Sequence, residues 1–142
     1  MCEKFPAAAR KVMDERFSCD SLMALATVDG NQPFVRAVNA YYEDGCFYVV
    51  THALSNKMKQ IAKNPAVSLC GDWFTAQGTG ENLGHVLLPG HADIMDKLRT
   101  VFAGWYGNGH VNEEDENTVL LRIRLTGGVL FSNGTRWEID FT

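Results

Sequence analysis

The chain has 142 residues, of which 46% are hydrophobic and 21% are charged, a composition typical of one globular domain with a substantial core. Its formal net charge of -4 argues against nucleic acid as the main partner, because binding to a phosphate backbone needs a basic face. The four cysteines have no CxxC spacing, so neither a disulfide framework nor a metal site is expected.

The N-terminal residues carry charges at Glu3 and Lys4 and lack an apolar run, which does not fit a signal peptide. No segment of the sequence has the length of a membrane span. We therefore expect a cytoplasmic protein with reduced thiols, without a membrane or a nucleic acid as its partner.

The first half of the chain predicts a helix, three strands and a second helix. Strong helix formers predict an amphipathic helix over residues 7–17. Short apolar runs bounded by turn signals predict an antiparallel meander of three strands, at residues 22–28, 34–42 and 46–50. The second helix spans residues 53–63 and ends at Asn64-Pro65, because the residue before a proline resists the helical conformation.

The second half predicts further strands and one more helix. Residues 66–76 read as a strand, 77–82 as a Gly-rich loop, and 83–91 as a strand that Pro89 interrupts. A helix over 93–104, a loop over 105–117 and two strands, at 118–131 and 135–141, complete the chain. The prediction is a mainly β barrel of the α+β kind, with six to seven antiparallel strands and two or three helices, as a single domain over residues 1–142.

The stretch from Arg36 to Lys57 has the makings of a phosphate site. If the second and third strands pair as a hairpin, Arg36 near the start of one meets Thr51 near the end of the other. Ser55 and Lys57 follow at the start of a helix, where a lysine opposes the helix dipole unless an anion is bound beside it. A guanidinium, an ammonium, a hydroxyl and a helix N-terminus together suit a phosphate. The alternative for Arg36 is a solvent-facing position on a half-exposed strand.

A family resemblance rests on these same residues. The ordered set Arg36-x-Val38, Phe47-Tyr48-x-x-Thr51, Ser55-x-Lys57 and Ile61-x-x-Asn64-Pro65-x-Val67 resembles the FMN-binding split-barrel proteins related to pyridoxamine 5'-phosphate oxidase. The resemblance implies a split β-barrel that forms a homodimer and binds FMN non-covalently between its subunits. It also implies that Arg36, Ser55 and Lys57 hold the FMN phosphate.

The resemblance implies further cofactor contacts around the flavin ring. They are the backbone of Ala37, Val38 and Asn39, the neighbouring Thr51, His52 and Asn56, and His85 and Trp137 from the second subunit. His52 is the one candidate for a chemical role, although a lone histidine after a strand is more often a loop residue. Asn56 stands where the family often has a second basic residue, and it also fits an exposed polar position.

The implied function is that of an FMN-dependent oxidoreductase of a small molecule, with NAD(P)H or another electron donor. The resemblance to pyridoxamine phosphate oxidases themselves is incomplete, because the chain lacks their lysine, here at residues 39–41, and their basic segment after Trp137. We therefore expect a substrate other than pyridoxamine phosphate, such as a nitroaromatic or a quinone. Two alternatives stay open: a non-catalytic flavin-binding protein, and a binder of haem or deazaflavin on the same barrel. Haem would need an axial ligand, for which His52, His85 and His91 are the candidates.

Overall fold

The computed structural model describes residues 4–142 and forms a closed barrel of six antiparallel strands with one further strand at its side. The strands are β1 (Ser21–Asp29), β2 (Gln32–Glu43), β3 (Cys46–His52), β4 (Ala66–Gly71), β5 (Phe74–His85), β6 (Thr118–Ser132) and β7 (Thr135–Asp140). The α-helices are α1 (Ala7–Phe17), α2 (Asn56–Lys63), α3 (Ala92–Val101) and α4 (Ala103–Trp105). The strand order is β3-β2-β1-β4-β5-β6-β7, and pairing of β3 with β6 closes the barrel. Residues 1–3 of the predicted domain lie outside the described residues.

The predicted meander of β1, β2 and β3 is confirmed, but its two hairpins differ in length. β1 pairs with β2 along the whole length of β1, from Ser21↔Ala40 to Asp29↔Gln32. β2 and β3 pair only from Tyr41↔Tyr48 to Glu43↔Cys46. On its other side, β3 pairs with β6 along its whole length, from Cys46↔Arg124 to His52↔Thr118. The barrel is therefore split between the first part of β2 and the last part of β3.

The predicted elements between residues 66 and 91 are wrong in their boundaries. The chain turns at Asp72 and Trp73, which have positive φ angles of 43° and 60°, and not at residues 77–82. That predicted loop lies inside β5, which ends at His85. Residues Pro89–His91 form a short 3-10 helix in place of the predicted strand end.

Close packing explains why glycines occur inside β5. A Cβ atom on Gly80 would lie 3.0 Å from the Cγ2 atom of Ile61 on α2, and one on Gly78 would lie 2.5 Å from the carbonyl oxygen of Arg124 on β6. The glycines thus let helix α2 and the neighbouring strand approach β5 closely. These glycines are required by contacts with other elements, and a local sequence pattern does not reveal such contacts.

The predicted helices are confirmed with small shifts: α2 begins at Asn56, after Ser55, and the predicted helix over 93–104 is divided into α3 and α4. One apolar core fills the barrel, and a second lies outside it, where Met95, Leu98 and Phe102 pack near Leu120 of β6. Among the described helices, none is long and apolar enough to cross a membrane.

Candidate functional site

Arg36 points to the inner side of the barrel at the split. It pairs with Leu25 on β1, which is fully buried. Its Nη1 donates to the Thr27 Oγ1 at 2.6 Å and to the Leu25 carbonyl oxygen at 3.3 Å, and its Nη2 donates to the Gln60 Oε1 at 3.1 Å. The solvent-facing alternative for Arg36 is therefore wrong, because its guanidinium is held by β1 and helix α2.

Helix α2 brings its first turn to the same region. Ser55 is its N-cap residue, but the serine side chain makes no capping hydrogen bond. The Ser55 Oγ is buried and has no hydrogen-bond partner among the described residues. Since a buried hydroxyl without a partner costs free energy, this atom is poised to bind a group that the chain itself does not supply.

Lys57 extends from this turn toward the end of β3. Its Nζ donates to the Thr51 Oγ1 at 2.7 Å. Burial lowers the pKa of Lys57, and the positive charge of Arg36 lowers it further. Burial also lowers the pKa of Arg36. Within residues 4–142, neither side chain forms a salt bridge with a carboxylate.

The cluster of Arg36, Thr51, Ser55 and Lys57, called here the cation cluster, thus combines two like charges with free donors. Two cations near one another and partly removed from water repel, so the arrangement is unfavourable without an anion. The N-terminus of α2 adds the positive end of a helix dipole. A phosphate fits this donor set, since charged side chains, a hydroxyl and helix N–H groups all donate to its oxygens.

The strand edge beside the cation cluster is unpaired on one side. Residues Ala37, Val38 and Asn39 pair with β1 through Ala24, Met23 and Leu22, and β3 does not pair with this part of β2. Backbone groups along this edge face the split and can bond a ligand. The side chain of Asn39 is already engaged, because its Nδ2 donates to Asp20 at 2.9 Å.

His52 lies next to Thr51 but its side chain is turned toward the loop before β6. Its Nε2 and the Asp115 Oδ2 are 3.1 Å apart, and its Nδ1 accepts from the Leu54 N–H at 3.3 Å. The imidazole therefore carries its proton on Nε2 and donates it to Asp115. Both ring nitrogens of His52 are engaged in hydrogen bonds, and the bond to Asp115 holds the loop before β6. This geometry gives His52 no acid or base role.

The remaining predicted contacts are not brought to the cation cluster within one subunit. His85, at the end of β5, bonds through Nε2 to the Glu113 carbonyl oxygen at 2.6 Å. Trp137 lies on β7, paired with Leu130, and packs against the barrel core. Asn56 is exposed at the start of α2, which agrees with the exposed polar alternative stated for it.

An apolar surface on the outer side of β1 and β2 lies beside the split. Alternation along the strands turns Ala24, Ala26 and Ala37 to this side, together with Leu22 and Val35, whose exposed fractions are 68% and 69%. We call these five residues the outer face. Small side chains make it flat, and it continues to exposed Cys70 on β4, which pairs with Ala24.

Two residues of the site were missed by the sequence analysis. Thr27 is 1% exposed and Gln60 is 9% exposed, and both bond to the Arg36 guanidinium. A signal for each was present. Thr27 is the polar residue on the inward alternation of Met23 and Leu25, and Gln60 lies three residues after Lys57, on the same side of a helix.

Comparison with known proteins agrees with this architecture. Among solved structures, an FAD-binding protein from Mesorhizobium loti superposes with a TM-score of 0.66 at 21% identity, covering 87% of this chain and 91% of that one. General stress protein 26 from Bacillus anthracis gives a TM-score of 0.69 at 18% identity, with 92% and 98% covered. A haem-binding protein from Mycobacterium smegmatis gives 0.71 at 13% identity, with 96% of this chain but 59% of that chain covered. These identities show the fold alone.

A comparison with curated protein sequences finds no match. The sequence pattern of the family described as pyridoxamine 5'-phosphate oxidase, in contrast, matches residues 9–129, which include β1 to β5, most of β6, the cation cluster and the outer face. The resemblance stated from the sequence is confirmed: this chain belongs to the pyridoxamine 5'-phosphate oxidase-related family of split-barrel proteins.

Proposed function

We propose that the protein binds FMN at the cation cluster and acts as an FMN-dependent oxidoreductase of a small molecule. The observation that carries the proposal is the pairing of two partly buried cations with an orphan hydroxyl at a helix N-terminus. Arg36, Lys57 and Ser55 would hold the phosphate. Family membership and the FAD-binding structural neighbour support a flavin as the ligand.

The charge of the site favours FMN over FAD. FMN ends in a phosphate monoester, which carries close to two negative charges at neutral pH, whereas each phosphate in the diphosphate of FAD carries one. Arg36 and Lys57 supply two positive charges, and the hydrogen bonds of Arg36 go to neutral acceptors. The single phosphate of FMN therefore brings two negative charges to the site, whereas FAD would have to fit both of its phosphates there to bring as many.

We further propose that the ring lies along the edge of β2 at Ala37, Val38 and Asn39, covered by a second copy of the chain. Apolar surface of this kind on a soluble protein suits an interface, and the outer face lies beside the proposed ring position. In a homodimer, His85 and Trp137 of the second copy would be the candidates to complete the site. A monomer in sedimentation experiments would contradict this part of the proposal.

The bound flavin would supply the hydride or electron transfer. The chain's own residues would bind the phosphate, orient the ring through backbone groups and exclude water by dimerisation. No side chain of the described residues is assigned as a general acid or base, since His52 uses both ring nitrogens in structural bonds. The electron donor would be NADH, NADPH or another reductant, and the acceptor a nitroaromatic or a quinone.

Haem is the second candidate ligand, favoured by the structural neighbour from Mycobacterium smegmatis. Axial ligation would require a free ring nitrogen directed into a pocket. His52 uses both ring nitrogens within the chain, whereas His85 uses Nε2 on the Glu113 carbonyl oxygen and His91 uses Nδ1 on the His85 carbonyl oxygen. The cation cluster itself contains no histidine, and His85 and His91 are not brought to it within one subunit, which makes flavin the better-supported ligand.

The test is the visible absorption spectrum of the purified protein, followed by titration of the apoprotein with FMN, FAD, riboflavin and haem. We expect a flavin spectrum, with FMN bound more tightly than riboflavin or FAD. Reduction by NADH or NADPH and reoxidation by a nitroaromatic or a quinone would then support catalysis. A Soret band would favour the haem alternative, and a flavin that no donor reduces would favour a binding protein without catalysis.

A further inference from the structure

The hydrogen bonds behind Arg36 form a closed set of neutral groups. Thr27 and Gln60 both contact the guanidinium, and the Thr27 hydroxyl also donates to the Gln60 Oε1. Thr27 thus accepts from Arg36 with its oxygen and uses its proton on Gln60. The third acceptor is the carbonyl oxygen of Leu25. All three groups are uncharged, although a buried or half-buried arginine is most often paired with a carboxylate.

These bonds leave part of the guanidinium for a ligand. Arginine has five N–H groups, and the bonds to Thr27, Leu25 and Gln60 use both protons of Nη1 and one of Nη2. The N–H of Nε and the other N–H of Nη2 remain, and these two lie side by side in the covalent geometry of the group. Such a pair is the fork that binds two oxygens of a phosphate.

Gln60 also connects the two halves of the cation cluster. It lies on α2, whose first turn carries Ser55 and Lys57, while Arg36 lies on β2. A bond from Arg36 to Gln60 therefore fixes the distance between the strand cation and the helix cation. A carboxylate at this position would make the same connection, but it would also neutralise Arg36.

We propose that Gln60 is a positioning residue that orients Arg36 without neutralising it, and so reserves the site for a doubly charged phosphate monoester. The proposal rests on the function proposed above, since it concerns the same site. A neutral amide keeps the net charge of Arg36 and Lys57 at two. The two cations repel each other in the free protein, and a bound phosphate relieves this repulsion.

The test compares Gln60→Glu with wild type in the full-length protein. The readout is the ratio of the dissociation constants for riboflavin and FMN, which isolates the contribution of the phosphate. We expect Gln60→Glu to lower this ratio about tenfold or more, because an ion pair with Arg36 removes a charge-assisted contact. Riboflavin affinity should stay within about twofold, and the melting temperature without ligand should be unchanged or higher, since the new carboxylate pairs with a cation.

Two control variants and a second readout accompany Gln60→Glu. Gln77→Glu, at an exposed position on β5, adds the same charge away from the site and should leave the ratio unchanged. Gln60→Met removes the acceptor without adding charge and should lower the ratio less than Gln60→Glu does. Protection of each variant by inorganic phosphate against thermal unfolding gives a second readout that needs no flavin.

The outcomes separate the inference from the proposed function. A wild-type protein that binds riboflavin and FMN equally well would contradict the phosphate site itself. Preference for FMN in wild type that survives in Gln60→Glu would leave the proposed function standing and overturn the role of Gln60. Equal losses in Gln60→Glu and Gln60→Met would overturn the electrostatic argument, because they would show that charge at this position does not matter.

Discussion

Two groups of basic side chains lie on this barrel, and they differ in what surrounds them. On the outside of β5 and β6, Glu81 accepts from Arg122 at 2.8 Å and from Arg124 at 3.0 Å. At the split, Arg36 and Lys57 have only neutral acceptors. The Glu81 carboxylate raises the pKa of Arg122, whereas burial and the charge of Arg36 lower the pKa of Lys57.

The pKa shifts of Arg122 and Lys57 have opposite directions, and this difference distinguishes the two kinds of site. A cation that forms an ion pair with a carboxylate of the same chain has its counter-charge in the folded protein, and the pair contributes to stability. A pair of cations that the fold leaves without a counter-charge reduces stability and gains it back when an anion binds. The same residue type thus forms structural ion pairs in one place and, in the function we propose, a ligand site in the other.

The largest expected effect breaks the cation cluster. The double variant Arg36→Ala, Lys57→Ala should lower FMN affinity by about 3–6 kcal/mol, because two charge-assisted contacts are lost. Fluorescence titration of FMN would measure it. The matched control is Lys59→Ala, Lys63→Ala, which removes two exposed charges from the same helix and should change affinity little. Unchanged FMN affinity in the first variant would contradict the phosphate assignment.

The second prediction concerns the ion pairs that Glu81 forms with Arg122 and Arg124. Glu81→Gln should lower the free energy of unfolding by about 1–2 kcal/mol, because half-buried Arg122 loses its charged partner, and FMN affinity should not change. Glu81 has a lowered pKa in the folded state, first through its bond with Arg122. Its stabilisation is therefore present above the ordinary glutamate pKa and is lost as pH falls through the lowered value.

Chemical denaturation at several pH values would measure this difference. The gap in stability between wild type and Glu81→Gln should be constant near neutral pH and should close in acid, below the ordinary pKa of 4.5. A gap that persists at low pH, or a loss of FMN affinity in this variant, would show that the two groups of cations are not independent.

Loss of the Ser55 hydroxyl alone should have a smaller effect. Ser55→Ala should lower FMN affinity by about 1 kcal/mol, the loss of one hydrogen bond. Stability without ligand should be unchanged or higher, since the hydroxyl that is removed is buried without a partner and makes no capping bond. Ser68→Ala, at an exposed position on β4, is the control. A loss of stability as large as an ordinary N-cap substitution, with affinity intact, would make Ser55 a structural residue.

Chain order allowed the proximity of the residues of the cation cluster to be predicted, but not the groups that hold Arg36 in place. A strand with Arg36, a hairpin ending at Thr51 and a helix beginning near Ser55 must bring these residues together, and the structure does so. Thr27 and Gln60 reach Arg36 from other elements, so their role depends on the barrel's closure. Local sequence patterns reveal the order of the elements along the chain, but not the contacts that form when the barrel closes.

The same distinction explains the errors in the predicted strands. Asp72 and Trp73 turn the chain with positive φ angles, which an Asn-Gly or Asp-Gly pair would have signalled and a tryptophan does not. Gly78 and Gly80 resemble a loop in the sequence, and their contacts with Arg124 and Ile61 appear only once β5 is packed. The overall barrel was predicted because alternation and turn signals were clear in the remaining strands.

The split between β2 and β3 has a consequence for the protein before it meets its ligand. Strand edges with unpaired backbone groups accept any other strand that approaches them, and barrels usually avoid this by full closure. Here the open edge at residues 36–40 adjoins the flat apolar outer face, including Leu22 and Val35. The free chain therefore places unpaired backbone groups beside exposed apolar side chains, the combination that favours strand-to-strand aggregation.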